Sequence, residues 1–179
     1  MDILAMSTPL LRVAAALCVA LTGLTVADGL WSQINVQNGR TADESLEYRV
    51  KAAYLLNFTR YVEWPESAAV DSQLSICVLG ADPFGRILDA TMAGRTVQGR
   101  ALLVRRIQSP SEASGCEVVF VSRETWRRNP ASLKALGTTG TLTVGESEQF
   151  ARGGGVIGFV IVDETVRFVI NERAARFGE

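Results

Sequence analysis

Three glycines near the carboxyl end have the spacing of a nucleotide-binding motif. In the segment ARGGGVIGFVIV, residues 151–162, Gly153, Gly155 and Gly158 match G-x-G-x-x-G. Such glycines bind a pyrophosphate only where they follow a strand and open a helix, because the helix N-terminus then faces the phosphates. Here a predicted helical turn precedes them and two predicted strands follow, so we exclude dinucleotide binding. We expect Gly153 and Gly154 to be structural glycines that give an unhindered entry into a β-hairpin.

The other residue types offer little catalytic equipment. The 179 residues include no histidine, which excludes His-dependent triads, His-ligated metal sites and the commonest base near neutral pH. Lys51 and Lys134 are the only lysines, and no pair of carboxylates such as Asp82 and Asp89 has a context that demands catalysis. The sequence therefore predicts a non-catalytic protein with no cofactor and no metal. A secreted enzyme that uses carboxylates stays as an alternative.

The charge balance argues against one class of partner. Lysine and arginine number 18, against 19 acidic residues. A surface that binds nucleic acid usually needs a marked basic excess. We therefore predict that nucleic acid is not a partner.

The amino terminus has the pattern of a secretory signal peptide. An apolar run at residues 13–24 follows Arg12, and small or slender residues follow the run. The run is shorter than the about 20 residues that span a membrane. We predict a signal peptide over residues 1–27, cleaved between Ala27 and Asp28, with an uncleaved signal anchor as the alternative. The polar, patternless residues 28–43 are expected to be a disordered lead.

Export changes the interpretation of the cysteines. Removal of the signal peptide removes Cys18 and leaves Cys77 and Cys116. An even number of cysteines in an oxidising compartment favours a disulfide. It would close a loop of about 40 residues and stabilise the fold by roughly 4 kcal/mol. Two buried free thiols remain the alternative.

The elements that must position these residues follow an α/β pattern. A helix from Glu44 ends before Pro65, and its apolar face is predicted to hold Val50, Ala53, Tyr54, Phe58, Tyr61 and Val62. Buried strands are predicted at 74–80, 100–107, 116–122 and 141–145, with helical segments at 83–92, 130–136 and 146–151. After the glycines, two strands flank a turn at 163–165. The pattern predicts one domain over 44–179: a single-layer, mostly parallel sheet flanked by helices, with a C-terminal β-hairpin.

Five ordered segments resemble the YfiR-like family of periplasmic repressors of membrane diguanylate cyclases. They are VKAAYLLNFTRYVEWP, ICVLGADPFG, GCEVVFVS, LTVGESEQFARGGGVIGFV and VRFVIN, within residues 46–176. The resemblance implies a periplasmic regulator in cyclic di-GMP signalling. Cys77 and Cys116 match one of the family's two disulfides, and the second has no counterpart. The family's small helix after the last strand is also expected to be missing.

The resemblance further implies partners. We expect the chain to bind the periplasmic domain of an inner-membrane signalling protein, with an outer-membrane lipoprotein and a second copy of the chain as further partners. The partner-binding candidates are Trp64, Pro65 and Phe159. The alternative function is a small-ligand-binding sensory module of a sensor kinase or receptor system, in which Tyr54, Phe58 and Trp64 line a pocket.

Overall fold

The computed structural model describes residues 44–64, 72–131, 136 and 140–176. The chain divides into two units, Met1–Glu44 and Ser45–Glu179, and the described residues belong to the second unit, apart from Glu44. The predicted signal peptide, its cleavage point at Ala27 and Asp28, the lead and Pro65 lie outside the described residues. Within the described residues, no helix is both long and apolar enough to cross a membrane.

Seven strands form one mixed sheet. They are β1 (Gln73–Leu79), β2 (Thr96–Val97), β3 (Arg100–Ile107), β4 (Val118–Val121), β5 (Leu142–Gly145), β6 (Ile157–Val162) and β7 (Thr165–Ile170). Their order is β2-β3-β1-β4-β5-β6-β7. The four inner pairs are parallel, and the outermost pairs, β2–β3 and β6–β7, are antiparallel hairpins. The predicted fold class, a mostly parallel sheet with a C-terminal hairpin, is confirmed.

Helices cover the sheet on both faces. They are α1 (residues 44–61), α2 (Arg86–Met92), α3 (Arg123–Arg128), α4 (Glu148–Arg152) and α5 (Glu172–Ala175), with a 3₁₀ turn at Pro110–Ala113. The sequence did not predict α3, which begins after Ser122, whose hydroxyl accepts the Thr125 N–H. The expectation that no small helix follows the last strand was wrong, because Asn171 caps α5 there. Most of the predicted helix at 130–136 lies outside the described residues.

Each face of the sheet carries its own apolar core. On β1, Leu74, Ile76 and Val78 point to the face covered by α1 and α2. Cys77 and Leu79 point to the opposite face, where Leu136 and the α4 residue Phe150 also pack. Because successive strand residues alternate between faces, a continuous apolar run like β1 indicates a strand buried on both sides.

A disulfide joins Cys77 of β1 to Cys116, just before β4. β1 and β4 are neighbours, and the two Cα atoms are 5.9 Å apart. Both cysteines are buried, and the Arg105 guanidinium lies 3.7 Å from the Cys116 Sγ atom. The predicted disulfide is therefore present, and the free-thiol alternative is excluded.

The glycine segment links α4 to β6 and presents no helix N-terminus. Gly153 ends α4, and Gly154 has a φ of 111°, a conformation that side chains disfavour. A Cβ atom at Gly155 would overlap the buried Phe150 ring, and one at Gly158 would overlap the Ser147 carbonyl oxygen. The glycines therefore allow close packing between α4 and the hairpin.

Candidate functional site

Helix α1 lies on the sheet with a face that overlaps the predicted one only in part. Its buried residues are Lys51, Ala52, Leu55, Leu56, Phe58 and Thr59. Of the predicted face, Phe58 is buried and Tyr54 and Val62 are partly buried against the core, whereas Val50 and Ala53 are exposed and Tyr61 is 84% exposed. The helix carries apolar residues around more of its circumference than one sheet can cover. Contact with the sheet on the Leu55–Leu56 side leaves the opposite side in solvent.

The uncovered apolar residues of α1 form a stripe. Leu46, Val50 and Tyr61 are 61%, 36% and 84% exposed. Residues four or eleven apart on a helix lie on the same side, because both spacings are close to whole turns. We call these three residues the α1 stripe. Arg60 and Glu63 are exposed near Tyr61, so polar residues border the carboxyl-terminal end of the stripe.

Four aromatic rings fill the space between α1 and the β6–β7 hairpin. The Tyr54 and Phe58 ring centroids are 6.0 Å apart, and each lies 6.0 Å from that of Phe159. Phe168 of β7 meets the same two rings edge-on, at 5.4 and 5.2 Å. Phe159 is 1% exposed, so this partner-binding candidate is a core residue. Tyr54 and Phe58 pack on one another and on the hairpin, which also removes the basis for expecting them to line a pocket.

Trp64 follows α1 and is half-buried. Its indole Nε1–H donates a hydrogen bond of 3.0 Å to the Thr59 carbonyl, and its ring packs against the core. The side chain therefore braces the end of α1. Tyr61 is more exposed than Trp64, although the helical periodicity predicts Tyr61 on the buried face of α1.

A buried ion pair fixes the amino-terminal half of α1 to the sheet. The Lys51 Nζ atom is 2.6 Å from Oε1 of Glu146 and 2.5 Å from Oε1 of Glu47. The side chains of Lys51 and Glu146 are 2% and 5% exposed. Glu146 also accepts hydrogen bonds from the Tyr48 hydroxyl and the Arg123 backbone N–H. Breaking such a pair is costly because it leaves a buried charge without its partner.

An open cleft lies above this ion pair, at the carboxyl ends of the parallel strands. Its volume is about 920 Å³, and its walls include Tyr48, Asp82, Ser122, Arg123, Arg127 and Glu146. Without its antiparallel outer strands, the sheet has the order β3-β1-β4-β5-β6. Successive strands are added to one side of β1 first and to its other side from β4 onward, so the strand order reverses between β1 and β4. Ligands of open α/β sheets bind at such a reversal. Within the described residues, no cluster of side chains could hold a metal ion.

On the β2 side, an arginine clamps β3 to α2. Arg106 donates from Nη1 and Nη2 to both carboxylate oxygens of Asp89, each at 2.6 Å, and from Nε to Asp82 at 3.0 Å. The hydrogen bond from Arg106 lowers the pKa of Asp89 below its ordinary value. Asp82 also accepts the Phe84 and Gly85 backbone N–H groups, so it caps the turn that leads into α2.

Comparison with known protein families gives one assignment. The chain matches the family model described as YfiR/HmsC-like over residues 48–178. That range contains all seven strands and most of α1. No curated protein matches the chain.

Proposed function

Since the chain belongs to the YfiR/HmsC-like family, we propose that it is a non-catalytic periplasmic regulator of cyclic di-GMP signalling. It binds the periplasmic domain of an inner-membrane signalling protein, a diguanylate cyclase, and holds its output low. An outer-membrane lipoprotein that sequesters the regulator is a second partner in this proposal. The observation that carries it is the α1 stripe, an apolar surface beside the buried aromatic cluster.

The α1 stripe has the composition of a recognition surface. Interface energy is concentrated in a few residues, among which tyrosine is enriched, surrounded by a polar rim. Tyr61 has 84% of its surface in solvent, so it contributes little to packing within the domain. Its loss is expected to weaken a complex by about 2 kcal/mol or more while the domain stays folded.

A genetic experiment tests the proposal in the cell. Deletion of the gene should raise cellular cyclic di-GMP, and re-expression of the natural protein should lower it again. Tyr61→Ala should fail to lower it although the protein is exported and folded. Thr96→Ala is the matched control, because Thr96 is exposed at the opposite edge of the sheet and should restore repression fully.

An unchanged cyclic di-GMP level after deletion would refute the cyclase as partner.

The open cleft at the carboxyl ends of the parallel strands supports the alternative function, a small-ligand-binding sensory module. A thermal-shift screen of small metabolites tests it, because a ligand that binds only the native protein raises the unfolding midpoint. Under the regulator proposal no metabolite raises the midpoint, whereas a saturable rise that Arg123→Ala abolishes would favour the sensory module.

A further inference from the structure

The exposed side of α1 carries two arginines next to the α1 stripe. Arg49 and Arg60 are both exposed, and they lie eleven residues, or about three helical turns, apart. With about 3.6 residues per turn, both fall within about 60° of Leu46 around the helix axis, and about 17 Å separates them along it. Ala53 and Asn57 lie between them, and no residue of α1 on this side is acidic. One side of α1 therefore combines apolar and positively charged groups.

The fold does not neutralise these two charges. Elsewhere in the described chain, exposed arginines in or next to the short helices pair with the glutamate four residues before them, at Glu124–Arg128, Glu148–Arg152 and Glu172–Arg176. The corresponding positions on α1 hold Ser45 and Leu56, which carry no charge. Among the residues that the structure describes, neither Arg49 nor Arg60 forms an ion pair. Both guanidinium groups are thus available to a carboxylate from outside the domain.

We propose that this side of α1 binds an amphipathic helix of the signalling protein, and that this helix presents two carboxylates about three turns apart. Its apolar side chains pack on Leu46, Val50 and Tyr61, as amphipathic helices do on hydrophobic surfaces. Its carboxylates accept hydrogen bonds from the Arg49 and Arg60 guanidinium groups, and such charge-assisted pairs fix the register of a contact. The inference rests on the proposed function, because it states which chemistry of the proposed partner α1 recognises.

The charges on this side decide against two other occupants. A second copy of α1 would bring two more arginines and no acidic residue to the contact, so like charges would meet. A basic residue near an anionic lipid surface strengthens binding only about fivefold, so two arginines give about thirtyfold. The chain as a whole has 18 basic and 19 acidic residues, which adds no attraction to such a surface. A protein helix with two fixed carboxylates neutralises both arginines and covers the stripe in one contact.

Reversal of both charges tests the inference in the cell. The double variant Arg49→Glu, Arg60→Glu should leave cyclic di-GMP as high as deletion of the gene does, because it places like charges opposite each other. Both side chains are exposed, so the purified variant should keep the unfolding midpoint of the natural protein. The matched control is Arg86→Glu, Arg95→Glu. It changes the net charge equally at two exposed arginines on the β2 side, and it should restore low cyclic di-GMP.

The result separates this inference from the proposed function. Full repression by the double variant, in a strain where deletion raises cyclic di-GMP, would overturn the inference and leave the proposed function standing. Deletion that leaves cyclic di-GMP unchanged would instead refute the proposed cyclase, and the inference with it.

Suppressor mutations in the cyclase gene test the chemistry of the partner. Mutations that restore repression by Arg49→Glu and by Arg60→Glu should each replace an aspartate or glutamate with lysine or arginine. The two positions should lie about eleven residues apart in one periplasmic helix, and each mutation should weaken repression by the natural protein. Suppressors scattered over several elements would overturn the inference. So would binding to phosphatidylglycerol vesicles, or dimerisation, that the double variant abolishes, since either would assign this side of α1 to another occupant.

Discussion

The two edges of the sheet are built from similar hairpins, yet they differ in what they present to solvent. Each hairpin turns through two residues with positive φ, Gln98–Gly99 between β2 and β3 and Asp163–Glu164 between β6 and β7. β2 has two residues, and its Val97 side chain is buried. β7 has six residues and exposes Phe168 and Ile170. The β2 edge is therefore short and closed, and the β7 edge is long and apolar.

Strand length and side-chain chemistry, more than turn type, thus decide whether an edge is open to partners. Short edge strands protect a sheet because they offer too few backbone groups for pairing. Arg167 is the one charged side chain on β7, and it lies on the opposite face of the strand from Val166, Phe168 and Ile170. The α1 stripe lies on the same helix as the rings that hold Phe168. The surface proposed for a partner therefore belongs to the β7 side of the molecule.

The largest expected effect comes from the core behind the β7 edge. Phe159→Ala should destabilise the domain by about 3–5 kcal/mol, because it removes a buried ring that α1 and β7 share. Ile161→Ala in the same strand is the control, since that side chain is 46% exposed and should cost far less. Urea denaturation measures both. Similar midpoints for the two variants would show that the hairpin does not depend on the aromatic cluster.

Substitutions in the two hairpin turns should have smaller and opposite effects on stability. Glu164 has a φ of 58°, which side chains with a Cβ atom tolerate poorly, and Gly99 holds the corresponding position in the other hairpin with a φ of 79°. Glu164→Gly should therefore stabilise the protein by up to about 1 kcal/mol, and Gly99→Ala should destabilise it by about the same amount. Thermal unfolding followed by circular dichroism measures both changes. A loss of stability in Glu164→Gly would contradict this account of the turn.

The smallest effect is expected on the β2 side, at the Arg106 clamp. Because Arg106 lowers the pKa of Asp89 in the folded state, the carboxylate stabilises the fold above its unfolded pKa of about 3.9. This stability is lost as the pH falls through the lower, folded-state value. Both side chains are partly in solvent, so Asp89→Asn should cost at most about 0.5 kcal/mol at pH 7. The free energy of unfolding, measured against pH, should become the same for the variant and the natural protein in acid. A difference in that free energy that stays constant down to about pH 2 would indicate a lost packing contact instead.

Part of this architecture could be predicted from the sequence. The apolar run of β1 predicted that strand within one residue, because a strand buried on both faces is apolar throughout. The strand at 100–107 was predicted with its observed bounds, although it carries three arginines and is partly exposed along most of its length. The exclusion of a dinucleotide site rested on the order of elements around Gly153, and that order is confirmed. β2 was not predicted because two residues carry no periodicity. The six residues of α3 are likewise too few to show one.

The candidate site was less predictable because burial depends on distant residues. Lys51 lies inward because Glu146, 95 positions later, neutralises it. Tyr61 lies outward because the sheet meets α1 along Leu55 and Leu56. Phe159 was expected at a partner surface and is buried because α1 covers it. No local pattern specifies which side of an apolar helix a sheet will contact.

The contrast between the two edges can be tested by amide hydrogen exchange at increasing protein concentration. The N–H groups of Val166, Phe168 and Ile170 face outward on β7, since the Asn171 N–H is bonded to the opposite Val156 carbonyl and hydrogen-bonded pairs alternate along the ladder. The Thr96 N–H faces outward on β2, since the neighbouring Arg95 carbonyl is bonded to the Leu102 N–H. We predict that exchange at the three β7 amides slows at least about tenfold as this edge pairs with another strand, while exchange at Thr96 stays constant. Equal exchange at both edges over the whole concentration range would contradict the claim that the β7 edge is the open one.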